Sequence, residues 1–290
     1  LRILVTGASG QVGSEVVTEL DRRAAERLRG PAWRIVPVTH DQLDVGSRDS
    51  VLAAVTTADP HVIIHTAAWT AVDACEGDPD RAFRVNALGT RNIAEAARLV
   101  NAHVCYISTD YVFDGRSDRP YREWDEPNPL SVYGRSKLAG ERELAASATI
   151  VRTAWVCGRT GPNMAKTVLR LAVSQAPLLF VDDQHGSPTV ADDLAVKIVD
   201  LALRRRPGTF HVTNQGRTTW FGFAQEILRL AGHDPGRVVP IATADLMPAR
   251  PAPRPACSVL DNAALRLSGE QLLPAWEVSL GRLVSELLGD

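Results

Sequence analysis

The sequence predicts an α/β fold built on a doubly wound parallel sheet, with a smaller C-terminal region attached. Short apolar runs at residues 2–5, 34–38, 61–65, 104–107 and 149–152 read as buried strands. Amphipathic stretches at residues 11–29, 47–58, 79–100 and 131–146 separate them. Buried strands alternating with helices imply repeated βαβ units, because a parallel crossover needs a helix-length return. Beyond residue 152 the alternation loosens, and the joints GRTGPN, HGSPT and PARPAPRPA are rich in glycine and proline.

Composition narrows the function. At 290 residues and 45% hydrophobic, the chain can bury a full core without staples. A formal charge of −2 gives no electrostatic basis for gripping a phosphate backbone, so nucleic acid is not an expected partner. Cys75, Cys105, Cys157 and Cys257 are far apart, with no CxxC and no histidine cluster at ligand spacing. They read as reduced and mostly buried, and no metal is expected. No apolar stretch approaches membrane-spanning length, and the N-terminus lacks a signal peptide's charged region and cleavage site. A cytoplasmic protein without membrane contact is the expectation. PARPAPRPA, residues 248–256, is either a rigid surface connection or a loop shaping a cleft.

The first junction reads ILVTGASGQVGSEV, with Gly7, Gly10 and Gly13 between the first strand and first helix. Small residues there let the chain turn, let backbone N–H groups approach a pyrophosphate, and let the helix pack on the sheet. The spacing is GxxGxxG rather than GxGxxG, so its weight comes from its place at the first βα turn of a Rossmann-like chain. The second strand runs out into Thr39, His40 and Asp41. Thr39 and His40 tolerate a ribose 2′-phosphate, whereas Asp41 favours a 2′-hydroxyl. NADPH is the expected cofactor and NADH the alternative.

The fourth strand, in CYISTDYVFD, runs into Ser108, Thr109 and Asp110. Ligands gather at the carboxyl ends of strands in such sheets, although these residue types also serve as plain strand-end turns. After a polar loop, YGRSK places Tyr133 and Lys137 four residues apart on one helical face. Carbonyl reduction needs a hydride at carbon and a proton at oxygen. Tyrosine ionises near about 10, and a neighbouring ammonium lowers that value, so Lys137 is expected to tune Tyr133 as the acid. Thr109 would hydrogen-bond the carbonyl oxygen, and Lys137 would also hold the nicotinamide ribose.

With these residues the chain resembles the extended short-chain dehydrogenase/reductase family, whose TGxxGxxG turn and Ser/Thr, Tyr, Lys triad match Gly7, Gly10, Gly13, Thr109, Tyr133 and Lys137. A narrower resemblance, to the dTDP-4-dehydrorhamnose reductase family, covers essentially the whole chain. Its supports are GQVG, AAWTAVDACE, STDYVFDG, YGRSKLAGE, RTAWV, DDQHGSPT and RPACSVLD. It implies reduction of dTDP-4-dehydro-β-L-rhamnose to dTDP-β-L-rhamnose. It also implies that Gln11 and Val12 join the glycines around the pyrophosphate, that Asp44 and Val45 flank the adenosine, and that Ala67, Ala68 and Thr70 line the cofactor cleft. Thr70, Val72, Thr109, Asp110, Tyr133 and Trp155 would surround the sugar. Asn163, Thr189 and Arg254 would lie near the nucleotide diphosphate or its cleft. The cofactor core is assigned to residues 1–155 with a returning segment at about 183–214, and the sugar-nucleotide region to 156–182 and 215–290.

Some members of the resembled family pair as dimers through a metal held by surface glutamates. Glu15 matches one such position without identifiable partners, so a homodimer stays open and an exposed, ordinary Glu15 is expected. Asn86, in NALGT, is left outside the catalytic set. Two rival functions share the fold: a noncatalytic NADP-binding subunit like that of methionine adenosyltransferase, and a sugar-nucleotide epimerase or dehydratase. The intact triad weighs against the first. The single acid Asp110, followed by Tyr111 where a dehydratase wants a second carboxylate, weighs against the second.

Overall fold

The structure, a computed structural model, describes residues 1–26, 32–174 and 176–289. The first half runs β1 (Arg2–Thr6), α1 (Gln11–Glu26), β2 (Arg34–Val38), α2 (Arg48–Ala58), β3 (Val62–His65), α3 (Val72–Gly77), α4 (Pro79–Phe83), α5 (Gly89–Leu99), β4 (His103–Thr109), α6 (Val132–Arg142) and β5 (Thr149–Thr153). The second half adds β6 (Val156–Cys157), α7 (Met164–Ala172), β7 (Leu178–Val181), β8 (His185–Gly186), β9 (Thr189–Val190), α8 (Ala191–Leu203) and β10 (Gly208–His211). It ends with β11 (Thr218–Thr219), α9 (Trp220–Leu230), β12 (Val238–Ile241), α10 (Ala263–Leu267) and α11 (Trp276–Leu288). The end of the first expected helix, residues 27–29, lies outside the described residues.

Among the described residues six strands form the main sheet, in the order β10-β5-β4-β3-β1-β2, and every pairing in it is parallel. Side-chain alternation in β1 shows how the layers form. Ile3 and Val5 pack with Val16 and Leu20 of α1 and with Leu194 and Ile198 of α8. Leu4, between them, turns to Val51 and Val55 of α2 and Ile93 and Ala97 of α5. The sheet is thus covered on both faces, as its near-continuous apolar strands require. A second core joins α7, α9 and α11 with Leu178 of β7 and Val238 of β12.

The chain leaves β1 toward β2 on one side and returns to β3 on the other, opening a crevice at the carboxyl ends of the strands. The expected helix at 79–100 is interrupted by a π-helical turn at Arg84–Leu88. Asn86 sits in that turn, accepts a hydrogen bond from the Trp69 amide at 2.8 Å, and donates to the Ser136 hydroxyl at 2.9 Å. It therefore braces the loop after β3 against α6. Gly140 lets α6 come this close, since a Cβ there would stand 2.4 Å from the Asn86 carbonyl oxygen. The helix expected at 131–146 stops at Arg142 and starts where the Ser131 hydroxyl accepts from the Gly134 amide at 3.1 Å.

One ion pair lies deep in this assembly. Arg152 on β5 donates to Glu141 on α6 at 2.7 and 2.9 Å, with both side chains 6% exposed or less. The Ser108 hydroxyl on β4 donates to the same carboxylate. The four cysteines are free, and Cys257 is the half-buried one. No described helix is long and apolar enough to cross a membrane.

Removing one member of a buried pair leaves the other as an uncompensated charge. Glu141→Ala is expected to cost about 3–5 kcal/mol in urea unfolding. A loss below about 1 kcal/mol would place the pair with solvated surface bridges instead.

Candidate active site

A cavity of about 380 Å³ opens at the strand ends. Its floor is the glycine turn and start of α1, contributing Gly10, Gln11, Val12 and Gly13. Thr66, Ala68 and Thr70 enter from the loop after β3, and Thr109 and Asp110 from the end of β4. Tyr133 and Lys137 come from α6, and Thr153 and Trp155 from the end of β5. A second cavity of about 200 Å³ shares Gly10, Thr66 and Ala68 with the first, and is walled by Gly7, His40, Val45 and Ala67. The two form one crevice across the switch point of the sheet.

The turn is shaped to receive a bulky anion. A Cβ at Gly13 would lie 2.1 Å from the Gly7 carbonyl oxygen, so only glycine lets the turn close this tightly. The first turn of α1 carries no acidic residue and opens into the cavity, leaving the positive end of the helix dipole for a phosphate. His40 stands in the wall of the second cavity, and Asp41 does not.

Several expected site residues lie outside these walls, and all but Val72 have their polar atoms engaged within the fold. The Thr39 amide and hydroxyl both donate to Gln42 Oε1, at 2.9 and 3.2 Å. Asp44 accepts from the Gly46 amide and from Arg84, each at 2.9 Å. Val72 packs with Cys75 and Val132 beside Tyr133. Asn163 caps α7 through the Lys166 amide and donates to the Gly158 carbonyl at 2.8 Å. Thr189 is fully buried and donates to the Ser187 carbonyl. Arg254 forms a two-pronged pair with Asp73 at 2.8 and 2.9 Å, which fastens the 248–256 loop to α3 next to Tyr111. That loop sits beside the cleft without lining it.

Electrostatics depart from the expectation at one point. Burial pushes the Tyr133 phenol well up, and a hydrogen bond with Thr109 opposes this. Lys137 Nζ donates to the Ile107 carbonyl at 2.7 Å and lies 4.1 Å from the centre of the Tyr106 ring. Burial lowers Lys137 to about 7, with Glu141 pulling the other way. Asp110 is pushed up to about 6 by burial, against hydrogen bonds from Ser258 and Thr109. The Thr109 hydroxyl donates to Asp110 Oδ1 at 3.0 Å and accepts from the Tyr111 amide at 3.2 Å.

Trp155 takes a left-handed backbone, φ 46°, and stacks face to face on Trp220 at 3.5 Å. Glu15 departs from its expected exposure: it is 5% exposed and paired with Arg159. Among the described residues no group of three His, Cys, Asp or Glu side chains is arranged to hold a metal. Thr153, Trp220 and Glu141 were not singled out from the sequence. Glu141 repeats the four-residue spacing of Tyr133 and Lys137, and Thr153 is a hydroxyl at the end of an apolar run, so both had a readable signal; the register of Thr153 with Thr109 did not.

The chain has relatives that match it along nearly its whole length. The family described as the RmlD substrate binding domain matches residues 1–288. A dTDP-4-dehydrorhamnose reductase of Streptomyces griseus is 42% identical, over 99% of this chain and 94% of its own. A dTDP-4-keto-6-deoxy-D-glucose reductase of Streptomyces niveus is 39% identical, over 96% of this chain and 95% of its own. The crystal structure of dTDP-4-dehydrorhamnose reductase from Bacillus anthracis in complex with NADP is 39% identical, covers 98% of this chain and 99% of its own, and superposes with a TM-score of 0.89. With its doubly wound sheet, glycine turn and full-length matches, the chain belongs to the dTDP-4-dehydrorhamnose reductase family.

Proposed function

We propose that this chain reduces the 4-keto group of a dTDP-sugar, converting dTDP-4-dehydro-β-L-rhamnose to dTDP-β-L-rhamnose at the expense of NADPH. The observation that carries this reading is the convergence of Thr109, Tyr133 and Lys137 on the cavity that the glycine turn floors. His40, in place of an acid at the wall of the smaller cavity, suits a 2′-phosphorylated ribose. The bound nicotinamide supplies the hydride.

The side chains then handle the oxygen. Because burial holds the Tyr133 phenol protonated across neutral pH, it is a donor from the start, and its proton passes to the carbonyl oxygen as charge develops there. The Thr109 hydroxyl, whose one proton goes to Asp110 Oδ1 in this structure, orients the same oxygen by turning that proton to it when the sugar binds. Lys137, charged below about 7, favours the anionic cofactor and stabilises the phenolate that remains. Trp155, set by its stack on Trp220, offers the sugar an apolar wall. The relative that acts on a 4-keto-6-deoxy-D-glucose shares the 4-ketone and differs in sugar configuration, so the test takes both sugars.

Purified protein mixed with each 4-keto dTDP-sugar is expected to oxidise NADPH stoichiometrically, faster than NADH. Cofactor binding without oxidation would favour a noncatalytic subunit, and cofactor retained through purification a self-recycling epimerase or dehydratase. Tyr133→Phe keeps the ring and is expected to lower kcat at least about 100-fold while leaving the NADPH Kd unchanged. Normal turnover by that variant would remove Tyr133 as the acid. The Lys137 cation is lost as pH rises through about 7, so NADPH affinity is expected to weaken from pH 6 to 9, a trend that Lys137→Met should abolish.

A further inference from the structure

Among the described residues, five buried side-chain polar atoms lack a hydrogen-bond partner, and two of them belong to walls of the larger cavity: Gln11 Oε1 and Thr153 Oγ1. Buried polar atoms are nearly always paired, so an orphan in a cavity wall points to a ligand that completes it. Thr153 is 5% exposed. It follows Val151 on the sheet face covered by α1 and α8, while Arg152 between them turns to Glu141 under α6. It is paired in register with Thr109, so the two strand-end hydroxyls stand side by side.

Gln11 opens α1 on that same face. Its Nε2 donates to the Val156 carbonyl at 2.7 Å. A carbonyl can only accept, so this bond fixes which end of the amide is which: the NH₂ is spent on Val156, and Oε1 is left as a pure acceptor. The cavity therefore holds one orphan acceptor and one orphan hydroxyl, and between them they match a group that donates through N–H and accepts through C=O.

We propose that Gln11 Oε1 and Thr153 Oγ1 hold the carboxamide of the nicotinamide, Gln11 accepting from its NH₂ and Thr153 donating to its carbonyl. The proposal rests on the reading that a nicotinamide cofactor occupies this crevice. A primary carboxamide fits both orphans with one planar group, and fixing it sets which face of the ring meets the carbonyl held by Thr109 and Tyr133. Gln11 thereby acquires a role at the ring end of the cofactor, separate from the pyrophosphate contact expected from the sequence.

The test measures binding without any sugar, by the fluorescence of the reduced cofactor, so it stands apart from whether the chain turns over a dTDP-sugar. Thr153→Val keeps the side-chain shape and removes the hydroxyl. It is expected to leave the Tm unchanged or raised, because an unpaired buried hydroxyl is lost, and to weaken NADPH about five- to tenfold. The reduced 3-acetylpyridine analogue, which keeps the C=O and lacks the NH₂, separates the two contacts. Gln11→Met is expected to weaken NADPH by a similar factor and to leave the analogue within about twofold, since the analogue has no proton for Gln11 to accept. An NADPH Kd within twofold of the parent for Thr153→Val would overturn the proposal. So would equal weakening of both cofactors in Gln11→Met.

Discussion

The cleft depends on where α6 is seated. Tyr133, Lys137 and Glu141 recur every four residues and share one face, so any shift of that helix moves the phenol and the ammonium together. The Glu141 carboxylate anchors the far end of this face by taking Arg152 from β5 and Ser108 from β4 at once. Asn86 and the missing Cβ of Gly140 set its distance from the π-helical turn. A buried ion pair is a poor source of net stability, but it tolerates little change in geometry. Here that intolerance keeps Tyr133 beside Thr109, the residue two strands and a loop must otherwise position alone.

Burial then has the largest influence on the protonation of the Tyr133 phenol. Reading i and i+4 from the sequence correctly puts Tyr133 and Lys137 on one face, yet it says nothing about which acceptor the ammonium finds. The Ile107 carbonyl and the Tyr106 ring take it, and both belong to a strand far away in sequence. The phenol is consequently held protonated by desolvation. A protonated phenol is what a proton donor needs at rest; a permanently depressed one would have spent its proton before the substrate arrived.

The parts of the fold legible in the sequence were those governed by short periodicities. The five early strands, the helices between them and the glycine turn all follow from patterns within about 15 residues. Residues whose meaning depends on distant partners were not legible. Asp44 and Arg254 have the chemistry to bind a ligand, and each is taken up by a side chain that only tertiary structure supplies, Arg84 and Asp73. Glu15 looked like a surface acid until Arg159, more than 140 positions away, closed over it. The π-helical turn was equally hidden, because the apolar spacing of residues 79–100 reads as one continuous helix.

The same long-range ties explain how the irregular second half meets the crevice. Ser258 reaches Asp110, Arg254 reaches Asp73, and Trp220 lies flat on Trp155. Two of these contacts are polar and one is a stacked pair, so the second half is registered on the site by directional contacts as well as by apolar area. Asp110 bears the cost. Its carboxyl, buried and raised to about 6, is penalised as it ionises, and the penalty is absent below the ordinary carboxylate range and complete above about 6. Evolutionary optimisation for stability alone would replace such a group with a neutral one. With one oxygen accepting from Ser258 and the other from Thr109, the same carboxyl ties the stability of the fold at neutral pH to the orientation of the Thr109 hydroxyl.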